Sequence, residues 1–354
     1  MTIGDYARIL IARNQPALVH GWQVNGVGWA TTTLGGTAYI GGEFSAARAH
    51  DGSSSLPRRN LVAVSTATGQ PTGFRADTNG RVRSLATDGA RLYVAGSFTS
   101  INGVARNHLA ALDLQTGAVL PGWVHNTDND VYALSVGGGR LYAVGNFSQI
   151  DGAARQRVAS IDLATSHLNG FVANAAGGGV NAVAATADGS RVYLGGVYSS
   201  VNGTPTTALT ALNSSGGVVP VPFAGVRGSA LDLEVGAFGV LFAAFGDDAN
   251  EAVAFNPVTG ARLWGFACVG DAQAIHAIGS KVFSGFHQSC AGDPTAHLIT
   301  TDFGGHLQGF KPVFDGFWGV RDLAGDSSAL VITGDFTTID GQAAQGFAIF
   351  RPSP

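Results

Sequence analysis

Charged residues are scarce in this sequence, and they do not cluster. Only 12% of the 354 residues are Asp, Glu, Lys or Arg, and the formal net charge is −4. Nucleic-acid binding requires a basic surface that neutralises phosphates, and no run of Lys or Arg supplies one. We therefore expect no nucleic-acid partner.

Long apolar runs are also absent. No stretch approaches the roughly 18 uninterrupted apolar residues of a membrane-spanning helix, so we expect no membrane segment. Residues 1–15 contain only one short apolar run, at 9–12, which is too short for the core of a signal peptide. We expect a cytoplasmic protein if Met1 is the native start and an extracellular one if a signal peptide was removed, and the sequence leaves both open.

Cysteine is nearly absent as well, since Cys268 and Cys290 are the only two. Two cysteines cannot form a structural zinc site, and the sequence has neither a Cys-x-x-Cys nor a His-Glu-x-x-His pattern. Phosphate-binding loops and Gly-x-Ser-x-Gly turns are missing too. We expect no metal, no cofactor and no hydrolysis through a serine nucleophile.

Glycine, in contrast, is abundant, with 52 residues, and it accompanies an internal repeat. At seven places an aromatic residue follows Gly or Pro and ends a short apolar run. A period of roughly 40–50 residues is typical of β-propeller blades. The seven aromatic residues are Trp22, Phe74, Trp123, Phe171, Phe223, Phe266 and Phe310.

Each repeat contains four short blocks that read as β-strands. In the second repeat they cover residues 82–85, 92–98, 109–112 and 118–123. The blocks are apolar or alternate in polarity, and turns rich in Gly, Asn and Asp separate them. A lone four-stranded sheet cannot bury both of its faces, whereas radially stacked sheets bury them against each other. The sequence predicts an all-β fold, a seven-bladed β-propeller of four-stranded blades.

The two ends of the chain complement each other. The last repeat has three strand-like blocks, at 320–323, 330–336 and 346–350, and lacks the fourth. Segment 16–22 resembles a fourth block but has no third block before it. We predict that this N-terminal strand completes the last blade, with residues 1–15 as an N-terminal extension and residues 16–354 as the propeller.

The motifs resemble those of the delta-60-type repeat propellers, a family common among secreted actinobacterial proteins. The similarity rests on Gly-Ser-Phe at 96–98, on Ala-Leu-Asp followed by Thr-Gly within 111–117, and on the closing segment 346–350. Gly-Asp-Ala-Gln-Ala at 270–274 also matches a segment that is frequent in the family. The family's Gly-Gly-His-Phe segment has become Gly-Phe-His-Gln at 285–288, which retains only the histidine. The resemblance implies the fold and assigns no activity.

The positions of the two cysteines suggest that they meet. Cys268 precedes the inner strand of the sixth repeat, and Cys290 follows the second strand of the same repeat. These two kinds of connection emerge on the same face of a propeller. We predict a Cys268–Cys290 disulfide, and two separate buried thiols, the usual state in a cytoplasmic protein, remain the alternative.

The repeats serve as controls for one another. Inner-strand positions that are Ser or Ala in repeats two to four become Asp232 in the fifth, His276 in the sixth and Asp322 in the seventh. At the end of the second strand, a variable position holds His287 in the sixth repeat and Asp335 in the seventh. Because inner strands line the central channel of a propeller, we expect these ionisable groups to gather near its axis.

We interpret these residues as a pocket at the mouth of the channel. Carboxylates and imidazoles that are close together in a low dielectric can have their pKa values pushed apart, as acid–base chemistry requires. The alternative is that the polar groups hold water and that pairs such as Asp322 and Arg83 neutralise each other. The predicted catalytic residues are His276, His287, Asp232 and Asp322. The predicted substrate-binding residues are Arg83, Arg321, Asp335, Glu43, Tyr132, Phe245, Phe286 and Trp318, of which the last three, with Phe317, form an apolar wall.

Two functions follow from this interpretation. The first is an enzyme that binds a small organic molecule and performs metal-free acid–base chemistry of the lyase, isomerase or cyclase type. The second is an extracellular, non-catalytic propeller that binds a glycan or a protein through its loop face. The sequence slightly favours the first, and we expect a monomer. The identity of the substrate is not contained in the sequence.

Overall fold

The computed structural model describes residues 16–206, 208–292 and 297–352. The predicted N-terminal extension, residues 1–15, lies outside the described residues. Within the described ranges the chain forms β-strands joined by turns, with one short 3-10 helix at Ala237–Gly239. No helix in this part of the chain is long and apolar enough to cross a membrane.

The described chain contains nine antiparallel sheets of three or four strands. Two of them are small sheets built on hairpins, one with Trp22–Val24 and one with Ala175–Ala176. The other seven follow one another along the chain, and we number them sheets 1 to 7. In each sheet the inner strand comes first, and it pairs with the second strand, which pairs with the third. In sheet order, these strands are Val27–Leu34, Thr37–Glu43 and Leu61–Ser65; Val82–Thr87, Arg91–Gly96 and Leu109–Asp113; Val131–Gly137, Arg140–Gly145 and Val158–Asp162; Val180–Ala185, Arg191–Gly196 and Leu209–Asn213; Ser229–Val235, Leu241–Gly246 and Glu251–Phe255; Ala272–Ile278, Lys281–Phe286 and Leu298–Asp302; and Val320–Asp326, Ala329–Gly334 and Phe347–Arg351.

A fourth strand is present in only some of the sheets. Sheets 1, 2 and 6 have a single bridge in its place, so the predicted strand at 118–123 is reduced to the bridge between Leu112 and Val119. Pro121 follows this bridge closely, and proline has no N–H to donate to a ladder. The fourth strands of sheets 3, 4, 5 and 7 are His167–Leu168, Val218–Val219, Arg262–Ala267 and Ala17–Leu18.

Small hairpins extend the connection between the second and third strands. In sheet 1 this hairpin pairs Ala46–Ala49 with Ser55–Pro57 and also with Trp22–Val24. Trp22 therefore leaves the predicted strand 16–22 and joins this separate small sheet. The other hairpins pair Ser100–Ile101 with Val104–Ala105, Gln149–Ile150 with Ala153–Ala154, Ser200–Val201 with Thr204–Pro205, and Thr338–Ile339 with Gln342–Ala343.

The two ends of the described chain meet in sheet 7. Ala17 and Leu18 pair with Arg351 and Phe350, as the sequence predicts for the N-terminal strand. The inner strands contact one another in chain order, and the inner strand of sheet 7 contacts that of sheet 1. The order of contacts thus returns to its start.

The hydrophobic core lies between neighbouring sheets rather than within one layer. Clusters of buried apolar residues join each sheet to the next, and one of them joins sheet 7 to sheet 1 through Ile40, Val62, Val331 and Ile349. The junction between the chain ends is therefore as apolar as the others. Burial of such surfaces contributes about 25 cal/mol per Å² of apolar area to stability.

The close approach of the sheets explains the small residues of the repeated second-strand motif. Gly41 lies against the inner strand of sheet 2, where an added Cβ would come within 2.4 Å of Val82 Cγ1. Gly285 faces Val320 of sheet 7 in the same way, at 2.3 Å. A larger residue at either position would push neighbouring sheets apart.

Candidate functional site

A β-bulge interrupts the inner strand of every sheet at an equivalent place. The bulged residue has no partner in the second strand. The inner strand therefore contains one extra residue, and the alternation of its side chains between the two faces of the sheet is interrupted there. A bulge re-aims the local side chain and is typical of functional sites. The seven bulge residues are Trp29, Arg83, Tyr132, Asn181, Leu231, Gln273 and Arg321.

All seven bulge residues line one cavity of about 360 Å³, together with Asp271 and Trp318. Because each sheet supplies one bulge residue, the cavity lies where the inner strands converge, and we name it the axial cavity. Its volume is within the roughly 300–1,000 Å³ of small-molecule pockets. The cavity is therefore large enough for a small organic molecule.

Guanidinium and aromatic groups dominate one part of the wall. Arg321 Cζ lies 4.3 Å from the ring centroid of Trp29 and 4.8 Å from that of Trp318. Arg81 Cζ also lies over the Trp29 ring, at 4.4 Å. The Trp318 ring stacks on His287, with ring centroids 4.2 Å apart. Contacts of cations with aromatic faces are attractive and hold the planar groups in place.

The three arginines near the cavity differ in their partners. Arg81 Nε donates to Glu43 Oε2 at 2.8 Å. Arg83 Nε lies 3.7 Å from Asp130 Oδ2 and donates to Ser97 Oγ at 3.3 Å.

Arg321, in contrast, has no hydrogen bond or ion pair within the described part of the chain, and its Nε is enclosed without an acceptor. Burial lowers the pKa of Arg321 to about 10, although the Asp335 carboxylate acts in the opposite direction. Arg321 is thus a cation without a bonded counter-ion.

The two carboxylates closest to this part of the wall are engaged by backbone groups. Asp271 Oδ1 accepts a hydrogen bond from Asp247 N at 3.0 Å, and Asp335 Oδ2 accepts one from Trp318 N at 2.9 Å. Asp335 Oδ1 and His287 Nε2 are enclosed and have no partner among the described residues. Burial lowers the pKa of His287, so its imidazole is neutral at pH 7.

A second set of ionisable groups follows the bulges along the inner strands, and we name it the deep layer: Asp232, Glu234, His276 and Asp322. Asp232 Oδ2 accepts a hydrogen bond from Ile275 N of sheet 6 at 2.8 Å. Asp322 Oδ2 accepts the equivalent bond from Thr31 N of sheet 1 at 2.7 Å. Their other oxygens accept from the next backbone N–H of their own strand, at 2.8 Å in both cases.

The histidine of the deep layer is also fully engaged. His276 Nδ1 lies 2.7 Å from Glu234 Oε2, and its Nε2 lies 3.3 Å from the carbonyl oxygen of Gly325. Burial opposes the charged imidazole, but Glu234 more than compensates and raises the pKa of His276 to about 9. The imidazolium therefore donates to both partners at neutral pH and links three inner strands.

Serine forms the same connections in other sheets. Ser84 Oγ accepts a hydrogen bond from Leu134 N, and Ser135 Oγ accepts one from Ala185 N, both at 3.0 Å. The carboxylates of the deep layer thus occupy positions whose common structural task is to bind the N–H of the next inner strand. Burial, reinforced by the charge of Asp322, raises the pKa of Asp232, and burial raises that of Asp322 to about 6.

The structure divides the predicted catalytic residues between two places. Asp232, Asp322 and His276 belong to the deep layer, whereas His287 lies at the rim of the axial cavity against Trp318 and Phe317. No hydrogen bond joins His287 to the other three in the described ranges. The four residues do not form one site.

The predicted substrate-binding residues also have different outcomes. Arg83, Tyr132, Trp318 and Arg321 line the axial cavity. Glu43 is connected to it through Arg81 and Asp335 through the Trp318 backbone, and neither carboxylate belongs to the lining.

Two predicted contacts are wrong. Phe245 and Phe286 were expected in the cavity wall, but both are fully buried in the clusters between sheets, because the second strand turns them toward the neighbouring sheet. The alternative interpretation paired Asp322 with Arg83, but the carboxylate beside Arg83 is that of Asp130.

Sequence reasoning missed Trp29, Leu231 and Asp271 of the cavity and Glu234 of the deep layer. The sequence does contain a signal for Glu234. It lies two residues after Asp232, at the inner-strand position that His276 occupies in the sixth repeat. Bulges leave a weaker signal. Two consecutive non-apolar residues flanked by buried ones, as in Arg83-Ser84, show that alternation has been interrupted.

The predicted disulfide is confirmed, since Cys268 and Cys290 are bonded with their Cα atoms 4.2 Å apart. The bond joins the connection that enters sheet 6 to the segment that follows its second strand. Cys290 lies three residues after His287, so the disulfide is close to this histidine along the chain. It restrains the backbone there.

Comparisons with known proteins agree on the fold. The family described as a domain of unknown function (DUF5122) β-propeller matches residues 91–114, which cover the second and third strands of sheet 2. A crystal structure of the WD40 β-propeller domain of Doa1 is similar to this chain, with 9% identity, 95% coverage of both chains and a TM-score of 0.63. A chain in a crystal structure of the mitotic checkpoint complex is also similar, with 14% identity, coverage of 96% of this chain and 95% of that one, and a TM-score of 0.64.

No protein of curated function matches this sequence. At such low identities, a likeness between structures shows the fold and nothing of the function. The chain is an all-β repeat protein with the β-propeller fold.

Proposed function

We propose that this chain is a seven-bladed β-propeller that binds a small organic molecule in its axial cavity. Each of sheets 1 to 7 is one blade, and the N-terminal strand completes the seventh. The observation that carries the proposal is the convergence of seven bulge side chains, one from each sheet, on a cavity of about 360 Å³. Hydrogen-bonded inner strands position these side chains, and rigid elements make precise binding sites.

The chemistry of the wall also supports binding. Trp29, Tyr132 and Trp318 offer flat apolar surface, and Arg83 and Arg321 offer hydrogen-bond donors with positive charge. Polar atoms that are enclosed without a partner are rare in folded proteins and require an explanation, such as ordered water or a ligand. Four of them lie at or beside this cavity: Trp29 Nε1, Arg321 Nε, His287 Nε2 and Asp335 Oδ1.

Acid–base catalysis in the cavity remains a prediction. The hydrogen bonds of Asp232, His276 and Asp322 favour a role in holding the inner strands together. His287 is the predicted catalytic residue that packs on Trp318 of the cavity wall. Its lowered pKa keeps the imidazole neutral at pH 7, which suits a general base.

A non-catalytic propeller that binds a protein is the second candidate. Phe317 is 61% exposed and Val269 is 66% exposed, and both precede inner strands on the face that carries the axial cavity. Exposed apolar residues grouped at a rim are typical of interaction surfaces.

A screen of small organic fragments by ligand-observed NMR tests the proposal. Leu231→Trp fills the cavity at a position that makes no polar contact there, and Val258→Trp is the matched control, because Val258 is 80% exposed and lies outside the cavity. We expect fragments that bind the wild type and Val258→Trp but not Leu231→Trp. Fragments that bind Leu231→Trp equally well would place the site elsewhere, with the rim around Phe317 as the next candidate.

A further inference from the structure

We infer that the ligand of the axial cavity is an organic anion whose carboxylate or phosphate group pairs with Arg321. The inference rests on the proposed function and names the ligand class for it. It starts from a difference among three arginines that share one region. Arg81 has Glu43 and Arg83 has Asp130, but Arg321 has no bonded acceptor among the described residues.

A partly buried guanidinium group without an acceptor is costly. It has five N–H donors, and each donor removed from water needs a partner. Two carboxylates are near enough to affect Arg321 electrostatically, Asp335 and Asp271, but neither forms an ion pair with it. Both accept hydrogen bonds from backbone N–H groups, which hold them in place. Because Arg321 lines the axial cavity, a ligand bound there can supply an acceptor for its terminal N–H groups.

The rings beside Arg321 determine what shape of acceptor fits. The rings of Trp29 and Trp318 both lie within 5 Å of its guanidinium carbon and occupy the space beside it. Neither ring accepts an in-plane hydrogen bond, so the N–H edge of the guanidinium is left for the ligand. Two oxygen atoms at the spacing of a carboxylate or a phosphate match two parallel N–H donors of this edge.

A second arginine strengthens the preference for an anion. Arg83 Cζ lies 5.9 Å from the Trp29 ring centroid, so its charge is close to the same ring that contacts Arg321. Burial lowers the pKa of Arg83, and the charge of Arg81 lowers it further. Positive charges that oppose one another in this way are stabilised by a bound anion. Asp271 lines the same cavity and acts on Arg321 electrostatically, so it offsets part of the attraction between the two arginines and an anion.

The remaining wall indicates the rest of the ligand. Tyr132 and Leu231 line the cavity and offer apolar surface, and the Arg83 guanidinium lies 5.1 Å from the Tyr132 ring centroid. A flat apolar group would pack on this surface while its anionic group binds Arg321. An aromatic acid or an aryl phosphate combines both features.

Four matched aromatic probes test the inference: benzoate, phenylphosphate, benzyl alcohol and benzylamine. Binding is followed by ligand-observed NMR and by tryptophan fluorescence, which an anion beside Trp29 and Trp318 should alter. We expect benzoate or phenylphosphate to bind more tightly than the neutral and cationic probes. Arg321→Gln should weaken anion binding by about 10- to 100-fold, the usual worth of a charged hydrogen bond. Arg48→Gln, at an exposed arginine of the sheet 1 hairpin, should change nothing.

Arg321→Lys gives a second measure, because it keeps the charge and loses the paired donors. We expect its affinity for the anions to fall between those of the wild type and Arg321→Gln. If benzyl alcohol or benzylamine binds best, and Arg321→Gln binds every probe like the wild type, the anion inference is wrong while the proposed function stands. If no probe and no fragment distinguishes the wild type from Leu231→Trp, the proposed function fails as well.

Discussion

Two groups of ionisable side chains lie along the same inner strands, and they differ in how they are satisfied. In the deep layer, the carboxylates of Asp232 and Asp322 bind the N–H of the next sheet, and His276 binds Glu234. At the axial cavity, Arg321 has no hydrogen-bond or ion-pair partner in the described chain, although it adjoins Asp322 in sequence. The comparison teaches that an unusual ionisable residue marks a binding site only when its hydrogen-bonding groups are still free. Those that are fully bonded hold the sheets together.

The largest effect is expected from breaking the pair in the deep layer. Glu234→Ala removes the carboxylate bound to His276 and leaves a largely buried imidazole without its counter-ion. Loss of one partner of such a pair typically costs about 3–5 kcal/mol, so the free energy of unfolding in urea should fall by about 3 kcal/mol. Glu43→Ala is the control, since Glu43 is exposed beside Arg81 and its pair should contribute at most about 1 kcal/mol. Equal losses of unfolding free energy in Glu234→Ala and Glu43→Ala would contradict the distinction between the deep layer and an exposed ion pair.

The same pair predicts a dependence of stability on pH. The pKa of His276 is about 9 in the folded protein, above its ordinary value of 6.5. The stabilisation from the imidazolium is therefore fully present below pH 6.5 and is lost as the pH rises through 9. The difference in unfolding free energy between the wild type and His276→Gln should shrink over this range by on the order of 3 kcal/mol. A difference that grows with pH would contradict the ion pair.

A smaller effect is expected at the junction of sheets 7 and 1. Asp322→Ala removes the acceptor for Thr31 N and should cost about 1–3 kcal/mol, the cost of an unsatisfied buried donor. Asp322→Asn keeps one acceptor oxygen for the two backbone N–H groups that Asp322 binds, so it should cost less stability at pH 7 than Asp322→Ala.

The pKa of Asp322 gives this junction a pH signature. Because the pKa rises from 3.8 to about 6 on folding, the folded state binds the proton more tightly. The stabilisation from the protonated carboxyl is present below pH 3.8 and is lost as the pH rises through about 6. This decrease in the free energy of unfolding should be absent from Asp322→Asn, and its persistence there would assign it to another group.

The smallest effect on stability is expected at the axial cavity. Arg321→Gln removes a cation that makes no hydrogen bond in the described structure, so the unfolding free energy should change by less than about 1 kcal/mol. Thermal or urea denaturation measures the change. A loss as large as that of Glu234→Ala would mean that Arg321 is a structural residue.

The sequence was sufficient for much of the fold, because the repeat leaves signals that do not depend on distant contacts. Aromatic residues such as Phe74 and Phe171 are buried between sheets, and their spacing follows the repeat. The pairing of Ala17 and Leu18 with the last strand was predicted because the last repeat lacks a fourth strand and the N-terminal segment supplies an extra one.

The site was less predictable, since partners come from neighbouring sheets that lie about 40–50 residues apart in a repeat of this kind. Comparison of the repeats found Asp232, His276 and Asp322 as exceptions, but it could not show that backbone N–H groups already satisfy them. Sequence reasoning placed Phe286 in the wall. The direction of its side chain depends on its pairing with Ala272 and on the neighbouring bulge, and the sequence shows neither. Residue types identify candidates, and only the hydrogen bonds separate binding groups from structural ones.

The most direct test compares the affinities of Arg321→Gln and Asp322→Asn for one anion, benzoate, by titration of tryptophan fluorescence. The two residues are adjacent in sequence and both ionisable. Asp322 accepts hydrogen bonds from backbone N–H groups, whereas Arg321 forms no hydrogen bond in the described chain. We expect Arg321→Gln to lose about tenfold or more in affinity while Asp322→Asn binds benzoate like the wild type. Loss of benzoate binding in Asp322→Asn, with full binding in Arg321→Gln, would contradict the division between the axial cavity and the deep layer.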